Sequence, residues 1–180
     1  MNYQGSCVAI YSTHAYLNIL KVVKYLRSVD YSDSQLSVIG RRANGTRVKY
    51  RFLGLFKSFK YKKAEKYFWD NLKDLLRGGA NFKTSEDYYI DVMGELSQPN
   101  LKTNMTEYLT ENIHDSYADI TNLLHFVGIP KVSFEHYKTL LKNDQLLLII
   151  HGNYQELKRA ANLLDLSGNI NVSLHLENTS

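Results

Sequence analysis

Five consecutive apolar residues, Leu146 to Ile150, in the run Gln145-Leu-Leu-Leu-Ile-Ile150, constrain this chain more than any other segment. An apolar run of that length, closed by His151-Gly152-Asn153, reads as a strand with both faces apolar. Such a strand belongs in the middle of a sheet. The residues after it fit a crossover helix: Leu157, Ala160, Ala161 and Leu164 recur at i, i+3, i+4 and i+7, with Gly168 just beyond as a stop. Asn171-Val-Ser-Leu-His-Leu176 then alternates polar and apolar, as a half-buried strand does.

The start of the chain repeats this plan. Cys7-Val-Ala-Ile-Tyr11 is a short apolar strand, and Ser12 or Thr13 is placed to cap the next helix. Tyr16, Ile19, Leu20, Val23 and Leu26 form one helical face, Asp30-Tyr-Ser-Asp-Ser34 breaks it, and a strand spans Leu36 to Gly40. Two βαβ units of about 30 residues each predict an α+β fold with a ferredoxin-like antiparallel sheet. Four strands are expected near 7–11, 36–40, 145–150 and 171–176, the first and third central, with helices over one face. The chain then divides into one domain with a βαβ half at 1–48, a helical insertion at 49–142 and a second βαβ half at 143–180.

Periodicity fills the insertion with helices. Tyr61, Ala64, Phe68, Leu72 and Leu75 precede Gly78-Gly79, and a shorter helix from Ser85 carries Tyr89, Met93 and Leu96. Leu109, Ile113, Tyr117, Ile120, Leu124 and Val127 mark a long one, closed by Gly128 and Pro130. Ser133 caps a last helix with Phe134, Tyr137, Leu140 and Leu141. Cys7 is the sole cysteine of 180 residues, so a disulfide within the chain and a cysteine-based zinc site are both excluded. The N-terminus has no basic and apolar signal-peptide pattern, and no apolar run approaches the ~20 residues of a membrane span. A cytoplasmic location is the expectation.

The N-terminal pattern Val8-Ala-Ile-Tyr-Ser-Thr-His with Ser34-Gln-Leu-Ser-Val-Ile-Gly40 carries a family resemblance when joined to a second one. That second pattern is Val127-Gly-Ile-Pro130, a helix with Tyr137, and Leu147-Leu-Ile-Ile-His-Gly152. Together they resemble the bacterial general stress protein 17M-like family of domains of unknown function. Phe68-Trp69, Leu72, Leu75-Leu76 and Gly78-Gly79 are similar to the family's middle segment. The resemblance implies a stress-associated protein and supplies no reaction and no catalytic residues. Relatives carry a Gly-rich apolar centre, whereas this chain has Lys57, Lys60, Lys62, Lys63, Glu65, Lys66 and Asp70 there, charges that lipid would not accept.

Two groups of residues are candidates for contact with a partner. Arg41, Arg42, Lys57, Lys60, Lys62 and Lys63, with Lys66, form a basic stretch threaded by Phe56, Phe59 and Tyr61. Cations beside rings suit single-stranded nucleic acid or an anionic surface. The blander account is charge matching with the acidic stretch from Glu86 to Asp119, within the chain or between subunits, at a net charge of only +4. His14 and His151 occupy the two strand-to-helix turns. If the halves are pseudo-symmetric, those turns share an end of the sheet and present helix N-termini to an anionic ligand. No histidine spacing fits a metal, and no nucleophile elbow, phosphate-binding loop or dinucleotide motif occurs. The leading expectation is a protein without enzymatic activity or cofactor that works by self-association through its helices, as a homodimer, or by protein binding. A nucleic-acid-binding module and a small-ligand sensor are the alternatives.

Overall fold

The structure is a computed structural model and describes residues 7–42, 56–83, 89–97, 120–166 and 172–175. In chain order the elements are β1 (Cys7–Thr13), α1 (Tyr16–Ser28), β2 (Leu36–Arg42), α2 (Phe56–Leu75), β3 (Gly79–Lys83) and β4 (Tyr89–Gly94). They continue as α3 (Ile120–Phe126), α4 (Phe134–Lys142), β5 (Leu146–Gly152), α5 (Tyr154–Leu166) and β6 (Val172–His175). The fold is α+β. The six described strands join one antiparallel sheet in the order β3-β4-β2-β5-β1-β6.

The four expected strands are present, and β5 and β1 lie inside the sheet. Each βαβ unit holds a strand of the other between its own two. β5 pairs with both β1 and β2, and β1 pairs with both β5 and β6. The insertion departs from expectation, because it is not wholly helical. Gly79–Lys83 and Tyr89–Gly94 are strands that extend the sheet beyond β2, making six rather than four. Tyr89, Met93 and Leu96 do fit a helical spacing, but Ile90 and Val92 alternate with period two and are β-branched. Asp91 and Met93 are buried as well, so pairing with β2 and β3 decides the outcome.

The helices also cover both faces rather than one. On one face Ala9, Tyr11, Leu36, Val38, Leu146, Leu148 and Ile150 pack under α1, α2 and α5, through Ile19, Val23, Leu26, Phe68, Leu72, Leu157 and Leu164. On the other, Val8, Ile10, Ile39, Ile90, Val92, Leu147 and Ile149 pack under α3 and α4, through Leu123, Leu124, Phe134, Tyr137 and Leu141. This explains why β5 is apolar on every residue from Leu146 to Ile150. Neither side of it meets water, and all five side chains are buried.

Local chemistry sets the helix ends. At α5, Asn153 Oδ1 accepts the Glu156 amide at 3.0 Å while Glu156 Oε2 accepts the Asn153 amide at 2.8 Å, a reciprocal cap. At α1 the capping position is Ala15, without a side-chain bond, and Thr13 Oγ1 instead accepts the Ala15 amide. Ser133 precedes α4 as expected but makes no side-chain cap. The expected long helix is described only from Ile120, and its earlier part, like residues 43–55 and Gly168, lies outside the described residues. Among the described residues no helix is long and apolar enough to cross a membrane.

Helices α1 and α2 run parallel. Tyr16, at the start of α1, stacks against Phe68 in the middle of α2 with ring centroids 4.7 Å apart. Their C-terminal ends meet at Asp33, whose carboxylate takes Arg27 at 2.7 Å and Arg77 at 3.2 Å. The stretch Phe56–Tyr67 therefore continues past the α1–α2 contact, by about 18 Å at 1.5 Å per residue.

Candidate functional site

The two turn histidines do not share a site. β1 and β5 are antiparallel, with Val8 opposite His151 and Thr13 opposite Leu146. His14 follows Thr13, so it stands at the opposite end of the sheet from His151, about 20 Å away at 3.3 Å per residue. The physical reason is that the two halves meet strand against antiparallel strand, which sends their βα turns to opposite ends. The α5 N-terminus beside His151 is also closed by its own Glu156 carboxylate, and a Cβ on Gly152 would lie 2.7 Å from that carboxylate. His14 is exposed and His151 is buried. Burial holds the His151 imidazole at about 4, well below its ordinary 6.5.

A different polar cluster forms on the face covered by α3 and α4. The sheet register places His175 of β6, Val8 of β1 and His151 of β5 in one row on that face, and Ser173, Ile10 and Ile149 in the next. The histidines thus flank Val8, two strand spacings or roughly 10 Å apart. Above β6, α4 brings down Tyr137, whose hydroxyl lies 2.6 Å from His175 Nε2. Ser173 bonds the same Tyr137 side chain, and the rings of His136 and His175 both meet Tyr137 edge-on.

Burial raises the Tyr137 pKa, so the phenol keeps its proton. Burial first, and the neighbouring His136 second, lower that of His175. The hydroxyl and Nε2 share one hydrogen bond, whose donor depends on the imidazole tautomer. Such a pair can hold a proton and clamp α4 to the edge strand. Tyr137 is 2% exposed, so its oxygen faces protein rather than an open cleft. Among the described residues no group of three His, Cys, Asp or Glu side chains is arranged to hold a metal ion. Sequence reasoning missed this cluster, although the polar positions Ser173 and His175 of an alternating strand were its one visible trace.

The basic candidates divide. Arg41 is drawn inward to the end of α4, where its guanidinium donates to the Lys142 carbonyl at 3.0 Å and approaches Asp144 at 3.7 Å. A cation at a helix C-terminus is stabilised there. Arg42 is the last residue of β2, and Lys57, Lys60, Lys62 and Lys63 lie in the first half of α2, where the backbone alone is described. Lys66 is exposed, and so is Tyr67, at 66%.

The described part of the acidic stretch, residues 89–97, is strand and a short turn of helix rather than the expected helix. Asp91 lies in β4, fully buried, with Asn81 Nδ2 donating to its carboxylate at 2.9 Å. Glu95 follows β4 at the end where Gly94 pairs with Ser37, the end of the sheet away from Arg42. Glu86, Asp87, Glu107, Glu111, Asp115 and Asp119 lie outside the described residues.

No family model matches this chain, and no curated protein or solved structure is significantly similar to it.

Proposed function

We propose that this chain acts without catalysis, as an association module whose β6 edge pairs with the same edge of a second copy. One observation carries the reading. β6 is the outermost strand on its side of the sheet and pairs with β1 alone among the described strands, yet it holds Leu174 at 39% exposure. An edge strand presents backbone donors and acceptors as a template for another strand. Antiparallel pairing of a strand with its own copy about a two-fold axis is self-complementary, so one segment supplies both sides of the interface. The opposite edge is β3, whose described middle residue Asn81 is polar and exposed, a poorer apolar contact.

The proposal takes β6-β1-β5-β2 as a ferredoxin-like core, with the chain from β2 to β5 as one insertion in a single domain. The interleaving of the two βαβ units supports that description. A stress-associated role in the cytoplasm belongs to the proposal through the family resemblance alone. The Tyr137–His175 clamp has a structural place in it, since it fixes β6 to α4 at the joining edge.

Light scattering on the size-exclusion peak tests the reading. The wild type should elute as a dimer that dissociates on dilution. Leu174→Lys should shift it to monomer, while Leu17→Lys, exposed on α1, should leave it a dimer. A wild type that stays monomeric at every concentration overturns the proposal.

A further inference from the structure

The strand β6 is a small element at the margin of the sheet. It is four residues long and pairs with β1 from Val172 to His175. On one face Val172 packs against the core under α1, α2 and α5. On the other, α4 reaches it through Tyr137, whose hydroxyl lies 2.6 Å from His175 Nε2. The stability of so short a strand depends on what happens at that contact.

The surroundings of His175 are poor in negative charge. Its row continues into Val8 of β1 and then His151 of β5, and the next row holds Ser173, Ile10 and Ile149. The rings of His136 and His175 stand 5.1 and 5.5 Å from that of Tyr137, so one phenol touches two imidazoles. His125 of α3 turns instead to Phe134. The elements on this face, α3, α4, β1, β5 and β6, hold one carboxylate between them, Glu135. Its side chain is 83% exposed and bonded to Lys138 at 3.0 Å. Glu135 precedes Tyr137 by two residues, about 200° round the helix, and so points away from β6.

Taking up a proton does not of itself break the Tyr137–His175 bond. A protonated imidazole donates from both nitrogens, and a phenol oxygen can accept. What the proton adds is a cation in a half-buried site beside His136, with no acid among these elements to offset it. Burial first, and His136 second, hold the His175 pKa below the ordinary 6.5. A histidine depressed in the docked strand favours docking fully above its ordinary value, and that preference is lost as pH falls below it.

We propose that His175 is a proton-operated latch: its protonation releases β6 from α4 in mild acid and so withdraws the edge through which two copies pair. The release rests on the contacts of His175 alone, and the withdrawal of the edge rests on the association reading above. Histidine suits the task because its charge changes near neutral pH. The element it biases is a short edge strand that can leave while the central strands remain.

Hydrogen exchange followed by mass spectrometry tests the latch on the whole chain at about pH 7.5 and about pH 5.5. Protection factors, which remove the intrinsic pH dependence of exchange, should fall several-fold for the Val172–His175 amides while those of Leu146–Ile150 hold. His175→Gln, neutral at both values, should keep its β6 protection unchanged. His136→Gln, at an exposed position, should make the fall smaller. Far-ultraviolet dichroism establishes that both variants are folded. Light scattering should show the wild type passing from dimer to monomer in acid and His175→Gln remaining a dimer. Equal β6 protection at the two pH values overturns the latch, and so does a loss that β5 shares or one that His175→Gln undergoes in full. A wild type monomeric at both pH values that still loses β6 protection in acid overturns the association reading and leaves the latch standing. A dimer at both, with β6 protection unchanged, overturns the latch and leaves the association reading standing.

Discussion

The hydroxyl of Tyr137 and Nε2 of His175 lie 2.6 Å apart, joining a buried helix residue to the outermost strand of the sheet. It is a short polar link between α4 and β6, beside Ser173, on a face whose core is mostly apolar. Tyr137→Phe should destabilise the fold by about 1–2 kcal/mol, because the half-buried imidazole loses its partner while the ring packing is kept. A double-mutant cycle with His175→Ala, read by urea unfolding, should return a coupling of roughly 0.5–3 kcal/mol. Additive effects would show that the pair does not act as a unit.

Acid should unfold the protein through its histidines. The His151 pKa is lowered by burial to about 4 in the fold, against 6.5 for the free side chain. A histidine with a depressed folded pKa favours the folded state above its unfolded value, and that stability is lost as pH falls toward the folded one. The window is therefore pH 6.5 down to about 4. At about 1.4 kcal/mol per unit the loss approaches roughly 3 kcal/mol. His175 moves in the same direction. Urea midpoints measured across this range should fall with pH for the wild type, and more shallowly for His151→Gln.

Gly40 is fixed by contact. A methyl group there would lie 2.4 Å from Leu146 Cδ2 and 2.8 Å from the Trp69 ring, one on the central strand and one on α2. Gly40→Ala should cost about 1–3 kcal/mol through overpacking, with loss of near-ultraviolet dichroism from Trp69. A variant as stable as the wild type would mean that the indole does not rest on β2.

Leu148, on the middle strand, is fully buried beneath the helices of the α1, α2 and α5 face. Leu148→Ala should cost about 2–5 kcal/mol. A change under ~0.5 kcal/mol in urea unfolding would be that of a surface site and would contradict the packing.

The four strands and their flanking helices were legible because each carries a pattern of its own. Leu146 to Ile150 is continuous, and the α1 and α5 stripes keep a 3.6-residue period. The continuous run also held a clue that the expectation of one covered face overlooked: a strand apolar on both sides needs cover on both, which α3 and α4 supply. β4 was misread because Tyr89-Ile-Asp-Val-Met93 satisfies both periods, and only its neighbours β2 and β3 choose between them. The meeting of Tyr137 with His175, and the separation of His14 from His151, depend on how strands pair across the whole chain, which no local window reports.

That pairing has a consequence for how the protein is made. β1 precedes the other described strands in the chain, yet its neighbours β5 and β6 begin only at Leu146 and Val172. Until Leu146 to His175 have left the ribosome, β1 has no strand to pair with and Val8, Ile10 and Tyr11 have no sheet to enter. The contacts that close the sheet are then among the most distant in the chain, which favours slow folding and a nascent chain that depends on protection of its first strand. Moving β5, α5 and β6 to the front by circular permutation should shorten those loops and speed the folding limb of the chevron.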